Sequence, residues 1–150
     1  MAETLGSLCD KLTIVKLKQW HADDPARLES LAAQERQLQD EIDTLVREAI
    51  DGKIATDRLT FAPNKVYKRE GNAVGPVTGG IGAVVSQLAA ANTALWHEQE
   101  KVYEFERVPA DSKDAVVKKL ALLNLERNEC IQRIDQLFRD AIEASTSVAK

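Results

Sequence analysis

The chain has 150 residues, of which 29% are charged and 44% hydrophobic, and its formal net charge is −4. A chain of this size and composition can bury a core of its own as one domain, and its net negative charge argues against nucleic-acid binding. No apolar run approaches the ~18 residues of a membrane span, and charged side chains interrupt the N-terminus where a secretory signal would be apolar. We therefore expect a cytoplasmic protein without a membrane span.

The first half of the sequence predicts two helices. Apolar side chains recur every three or four residues over 3–22, which is typical of one buried helical stripe. Pro25 ends this helix, because the residue before a proline is pushed out of helical geometry. A second helix begins there with Asp24 as its N-cap and ends at Gly52. The short turn between the two makes them antiparallel neighbours.

The second half predicts a longer pair of helices. A connector over 53–79 contains several glycine and proline turns, and a third helix follows from about 80 to 107. The fourth covers about 112–144. The fold class is therefore all-α: a four-helix bundle of one domain, with a hairpin over 3–52, a connector over 53–79 and a longer hairpin over 80–146.

Two matches within the chain indicate an internal duplication. Trp20-His21 recurs as Trp96-His97 at a shift of 76, and 42–50 matches 134–142 at a shift of 92. The shifts differ by 16 residues, so the second hairpin is predicted to extend beyond the first by about 12 Å, at ~1.5 Å per residue. A bundle pattern shared without common descent is the alternative.

The extra length of the second hairpin contains apolar side chains that the first hairpin cannot cover. An uncovered apolar tip favours a homodimer or another protein partner. The predicted interface residues are Val102, Tyr103, Phe105, Val116 and Val117.

Opposite charges occupy matching core positions of two helices. Glu35 lies in the apolar stripe of the second helix, and Arg127 lies 92 positions later in the fourth. Because a lone buried charge is costly, we predict that the two approach each other. They could form a structural pair, the polar floor of a ligand pocket or a splayed surface pair. The tentative ligand-binding set is Glu35, Asn92, Trp96, Asn124, Arg127 and Asn128.

The two histidines offer weak metal candidates. His21 and Asp24, and also His97 and Glu100, are three residues apart, which places each pair on one helical face. The favoured interpretation is that both tryptophans fill the core and the histidines lie at its edge, so no metal and no cofactor is predicted. Cys9 and Cys130 occupy apolar faces and are expected to be packed, reduced thiols.

A basic segment precedes a glycine-rich helix start. Lys65, Lys68 and Arg69 lie before Gly79 and Gly80. Free backbone N–H groups at a helix N-terminus attract anions, so this region is a tentative phosphate or sugar-phosphate site. An ordinary crossover loop is the alternative.

Three short segments, 6–14, 92–96 and 124–128, resemble small bacterial helical proteins classed only as a domain of unknown function. Some of those proteins are encoded near glycosyltransferases that act on cell-surface polysaccharides. The resemblance implies a bacterial source and a helical bundle, and it carries over no catalytic residue. The family pattern favours an acid three residues after Trp96, where this chain has Gln99.

The sequence favours a dimeric, non-enzymatic binding protein. The alternative is a small enzyme, or a binder of phosphates or sugar phosphates, with an interhelical pocket at Glu35 and Arg127. No Ser-His-Asp set is identifiable among the two histidines and their surroundings.

Overall fold

The computed structural model describes residues 3–61 and 77–148. Four α-helices occupy this part of the chain: α1 (Leu5–His21), α2 (Pro25–Ile50), α3 (Ile81–Tyr103) and α4 (Lys113–Val148). Two short 3-10 turns lie at Thr56–Arg58 and Phe105–Arg107. The predicted all-α four-helix architecture is confirmed. Among the helices described, none has the length and apolarity needed to cross a bilayer.

Local signals account for most of the helix ends. The side chain of Thr4 accepts a hydrogen bond from the Ser7 amide at the start of α1. Asp24 caps α2 as predicted, with Pro25 in the first turn, and Gly52 follows α2 at a φ of 74°. α3 ends at Tyr103, four residues before the predicted end, because the chain tightens into a 3-10 turn there.

α1 contacts all three of the other helices. It lies antiparallel to α4, since the Gly6 amide donates to Asp135 and Arg127 donates to Asp10. It runs parallel to α3, because Asn92 contacts Asp10 while His21 stacks on Trp96, further along both helices. α2 packs mainly on α1. The core therefore centres on α1, α3 and α4, and the C-terminal end of α2 closes one side of it.

α1 and α4 approach each other closely at Gly6. A Cβ atom on this residue would lie 2.3 Å from the backbone oxygen of Ile131, closer than van der Waals contact allows. The missing side chain therefore sets the spacing of the two helices. The largest fully buried side chains of the core are Val84, Leu88, Cys130 and Ile134.

The expectation that both tryptophans fill the core is wrong for Trp20. Its side chain is 85% exposed, whereas Trp96 is half-buried and stacks on the ring of His21. Trp20 is the penultimate residue of α1. The two Trp-His pairs therefore have different surroundings, and the internal duplication stays a prediction. Both cysteines are free thiols, with Cys130 buried and Cys9 half-buried, as expected.

Candidate functional site

Asp10 is the centre of the polar cluster between α1, α3 and α4. One carboxylate oxygen accepts hydrogen bonds from Asn92 Nδ2 at 2.9 Å and from Arg127 Nε at 2.8 Å, and the other accepts from Arg127 Nη2 at 2.5 Å. Asn92 also donates to the Thr13 hydroxyl at 2.8 Å. Asp10 and Asn92 are each 4% exposed. Hydrogen bonds of this kind, between ionised partners in a partly dry interface, are strong and directional.

The predicted approach of Glu35 to Arg127 is wrong. Arg127 is bound to Asp10, and Glu35 instead accepts hydrogen bonds from Lys16 and Gln19 of α1, at 3.0 and 2.8 Å. Hydrogen bonds from Gln19 and then Lys16 lower the pKa of the Glu35 carboxyl. The physical reason is that α2 packs on α1, so Glu35 meets the polar flank of α1.

The other residues of the predicted ligand-binding set do not come together. Asn92 joins Arg127 at Asp10, but Asn124 and Asn128 are exposed on α4, and Asn124 donates to the Leu120 carbonyl of its own helix. Trp96 lies further toward the end of the bundle, against His21. The cluster at Asp10 is therefore a set of mutually satisfied polar groups.

A second buried carboxylate, Asp135, ties the start of α1 to α4. It is 4% exposed and accepts a hydrogen bond of 2.7 Å from the Gly6 amide. Desolvation by burial raises the pKa of Asp135 to about 6, although hydrogen bonds from Gly6 and Thr4 oppose the shift. Asp135 therefore titrates in a weakly acidic range.

Glu98 is the third buried acid, at the α3–α4 interface, between Trp96 and Glu100, which both lie close to His21 at the end of α1. It is 3% exposed, and its Oε1 lies 3.0 Å from Lys101 and 3.1 Å from Lys119. Hydrogen bonds from the two lysines, Lys101 first, lower the pKa of the Glu98 carboxyl. Its Oε2 is buried without a hydrogen-bond partner among the described residues. The ion pair with Lys119 therefore joins α3 to α4.

The four weak candidates for metal ligands, His21, Asp24, His97 and Glu100, make different contacts in the structure. Glu100 lies 4.0 Å from a ring nitrogen of both His21 and His97, while the Asp24 carboxylate is used to cap α2. Over 3–61 and 77–148, no group of three or more His, Cys, Asp or Glu side chains is arranged to hold a metal ion. Burial raises the pKa of both cysteine thiols, that of Cys130 to about 11, so neither thiol is activated.

Of the tentative anion site, only Gly79 and Gly80 lie within the described residues. Lys65, Lys68 and Arg69 lie outside the described residues. Gly79 has a φ of 99°. Gly80 is the N-cap residue of α3, and it provides no side-chain hydrogen bond to cap the helix. This part of the chain therefore forms a turn into the helix, and the proposed basic partners stay a prediction.

The predicted interface residues divide into covered and uncovered side chains. Val116 is buried within this chain at 7% exposure, which corrects the expectation that it lies uncovered, and Val102 and Phe105 are half-buried. The Lys113 ammonium lies 4.9 Å from the centre of the Phe105 ring. Tyr103 and Val117 are 79% and 55% exposed. Only these two of the five are free to meet a partner.

The positions of Trp20, Tyr103 and Val117 along their helices place all three toward the same end of the bundle. Trp20 comes 14 residues after Gly6 on α1, and Val117 comes 14 residues before Ile131 on the antiparallel α4. Both positions therefore lie about 21 Å along their helices from the Gly6–Ile131 contact, toward the same end of the bundle. Tyr103 comes 11 residues, or about three turns, after Asn92 on the face that α3 turns toward α1. We call these three residues the apolar end surface.

Comparison with known protein families, with curated proteins and with solved structures found no match. The geometry of the chain's own residues therefore carries the functional argument.

Sequence reasoning did not identify Asp10, Thr13, Asp135 or Trp20 as residues of a site. A signal for the first two was present: Gly6, Asp10 and Thr13 repeat at helical spacing beside the apolar stripe of α1. A glycine and two polar residues on a second helical face are typical of a close, polar helix contact. No comparable local signal distinguishes the exposed Trp20 from the half-buried Trp96.

Proposed function

We propose that this chain is a cytoplasmic, non-enzymatic binding protein that forms a homodimer through the apolar end surface. The observation that carries the proposal is the exposure of three large apolar side chains, Trp20, Tyr103 and Val117, whose positions along α1, α3 and α4 place them toward the same end of the bundle. Exposed apolar side chains grouped at one site are typical of protein interaction surfaces.

The size and composition of this surface fit the centre of a dimer interface. An aromatic side chain buries ~150–250 Å², so Trp20 and Tyr103 together supply about half of the ~800 Å² that each partner contributes to a standard interface. Tryptophan and tyrosine are also the residues that most often dominate binding energy. A twofold axis would allow Trp20 of each chain to pack against Tyr103 and Val117 of the other.

The alternative, a small enzyme or a binder of phosphates or sugar phosphates with a pocket at Glu35 and Arg127, is less well supported. Each of these side chains has taken a different partner on α1. The polar groups around Asp10 bind one another, which leaves little capacity for a substrate. A role in binding is therefore better supported than catalysis at this cluster.

Sedimentation equilibrium tests the homodimer. We expect the unmodified chain to reach twice the 16.6 kDa mass of one chain with rising concentration. Trp20→Lys should shift the equilibrium to monomer, because a charge would be buried in the interface. Ile50→Lys is the matched control, since Ile50 is also exposed (65%) but lies at the end of α2, outside this surface. Equal effects of the two variants would contradict the proposal.

A further inference from the structure

A groove of about 380 Å³ lies where the end of α1 meets the start of α2 and the C-terminal half of α3. Its walls include the side chains of Lys18, His21, Arg27, Ser30, Gln34 and Trp96. The volume is within the ~300–1,000 Å³ range of small-molecule sites. The groove is separate from the Asp10 cluster, whose residues do not line it.

The groove is basic although the chain as a whole is acidic. The ionisable side chains that line it are Lys18, His21 and Arg27, whereas the net charge of the chain is −4. Lys18 and Arg27 form no ion pair or hydrogen bond with any residue in 3–61 or 77–148. Two cations without an acidic partner across one groove create a local positive potential that attracts anions.

The same groove has a flat aromatic wall. The His21 and Trp96 rings stack with their centres 4.5 Å apart and their planes 20° apart. His21 Nδ1 lies 2.8 Å from the Leu17 carbonyl oxygen; since a carbonyl only accepts, this nitrogen donates the hydrogen bond. The ring of His21 is thereby fixed against Trp96. A pre-formed aromatic wall binds flat or ring-shaped ligands without a cost for ordering it.

We propose that this groove binds a small phosphorylated molecule that carries a ring, such as a sugar phosphate or a nucleotide. Lys18 and Arg27 bind the phosphate group, since guanidinium and ammonium groups form charge-assisted hydrogen bonds with phosphate oxygens. Trp96 packs against the ring of the ligand. Ser30 and Gln34, which hydrogen-bond each other at 3.3 Å, are placed to exchange that weak contact for bonds to ligand hydroxyls.

Calorimetric titration of the full chain tests this site. The probes are inorganic phosphate, a hexose phosphate with its unphosphorylated hexose, and a nucleoside monophosphate with its nucleoside. We expect saturable binding of at least one of the two ring-bearing phosphates, weaker binding of inorganic phosphate, and none of the neutral compounds. Binding should shift the Trp96 indole N–H signal in a heteronuclear NMR spectrum and leave that of Trp20 in place.

Variants of two arginines on α2 distinguish binding of the ligand in the groove from a general effect of positive charge on binding. Arg27→Gln should weaken binding about tenfold or more, the effect of losing one hydrogen bond to a charged group. Arg36→Gln is the control, because Arg36 is an exposed arginine nine residues away on the opposite face of the same helix. Both should keep the helical content of the unmodified chain.

Three outcomes would overturn the proposal: no binding of any phosphorylated probe, equal weakening by Arg27→Gln and Arg36→Gln, or equal affinity for inorganic phosphate and the ring-bearing phosphates. None of them bears on the homodimer, because Trp20, Tyr103 and Val117 do not line the groove. The molar mass tests the dimer independently.

Discussion

Arg127 of α4 binds both carboxylate oxygens of Asp10 on α1, at 2.8 and 2.5 Å. The residues are 117 positions apart in the chain, so the contact fixes the relative position of the first and last helices. Asn92 of α3 donates to the same carboxylate. One acidic side chain thus joins three helices at their common interface.

We expect Arg127→Met to lower the free energy of unfolding by about 2–4 kcal/mol, because it leaves the buried Asp10 without its cation. The value lies toward the lower end of the range for buried pairs, since the Arg127 side chain is 31% exposed. Urea denaturation followed by circular dichroism measures the change. The double variant Asp10→Asn/Arg127→Met should recover part of the loss, and a double variant no more stable than the single one would contradict this role.

Glu35→Gln is the matched test on α2. Glu35 is bound by Lys16 and Gln19 near the surface, where ion pairs contribute little to stability. We expect the urea midpoint to stay close to that of the unmodified chain. A loss as large as that of Arg127→Met would mean that Glu35, after all, belongs to a buried pair.

The helices were predictable because their signals are local. The Asp24 cap, the Pro25 start and the apolar stripe of α2 each depend on residues within a few turns of one another, and all are present in the structure. The partner of Arg127 was not predictable in this way. Which of several acids meets it depends on how α1 and α4 pack, and the matching positions of the internal repeat predict Glu35 instead of Asp10.

Two glycines provide a second pair of variants. Gly6→Ala should destabilise the fold by about 1–3 kcal/mol, as overpacking does, because the new Cβ would lie 2.3 Å from the Ile131 oxygen. Gly82 is the second residue of α3, and a new Cβ there would meet no atom within 4 Å apart from its chain neighbours and its own helix backbone. Gly82→Ala should therefore stabilise the fold by up to about 0.5–1 kcal/mol. Thermal unfolding of both measures the difference. Equal effects would contradict the close approach of α1 to α4.

Asp135 should make stability depend on pH. Its folded pKa, about 6, lies above the ordinary 3.8, so the folded state favours the protonated acid. The contribution to stability is full below about pH 4 and is lost as pH rises through about 6, by an amount on the order of 2–3 kcal/mol. Glu3, Glu35 and Glu98 have lowered pKa values and act in the opposite sense as pH falls.

Asp135→Asn isolates this effect from the other acids. The amide oxygen can still accept from the Gly6 amide, and the side chain no longer ionises. The difference in unfolding free energy between the variant and the unmodified chain should therefore change between about pH 4 and 6 in favour of the variant. A difference that is constant over this range would show that Asp135 has an ordinary pKa.

The exposure of Trp20 shows that the spacing of apolar residues in the sequence does not by itself predict which of them are buried. Trp20 and Trp96 are both large apolar residues followed by histidine, yet one is 85% exposed and the other half-buried. Trp96 stacks on the ring of His21 from another helix, and no ring contact of this kind covers Trp20 among the described residues. A helical pattern identifies the face on which a residue lies, but contacts with other helices decide whether that face is covered.

The two tryptophan indole N–H signals, followed by heteronuclear NMR while the protein is diluted, test the homodimer most directly. We expect the Trp20 signal to move with concentration in step with the change of molar mass, because a second chain covers it. The Trp96 signal should stay in place, since it lies against His21 within one chain. A Trp20 signal that does not move, in a chain whose molar mass is 16.6 kDa throughout, would contradict a homodimer at the apolar end surface.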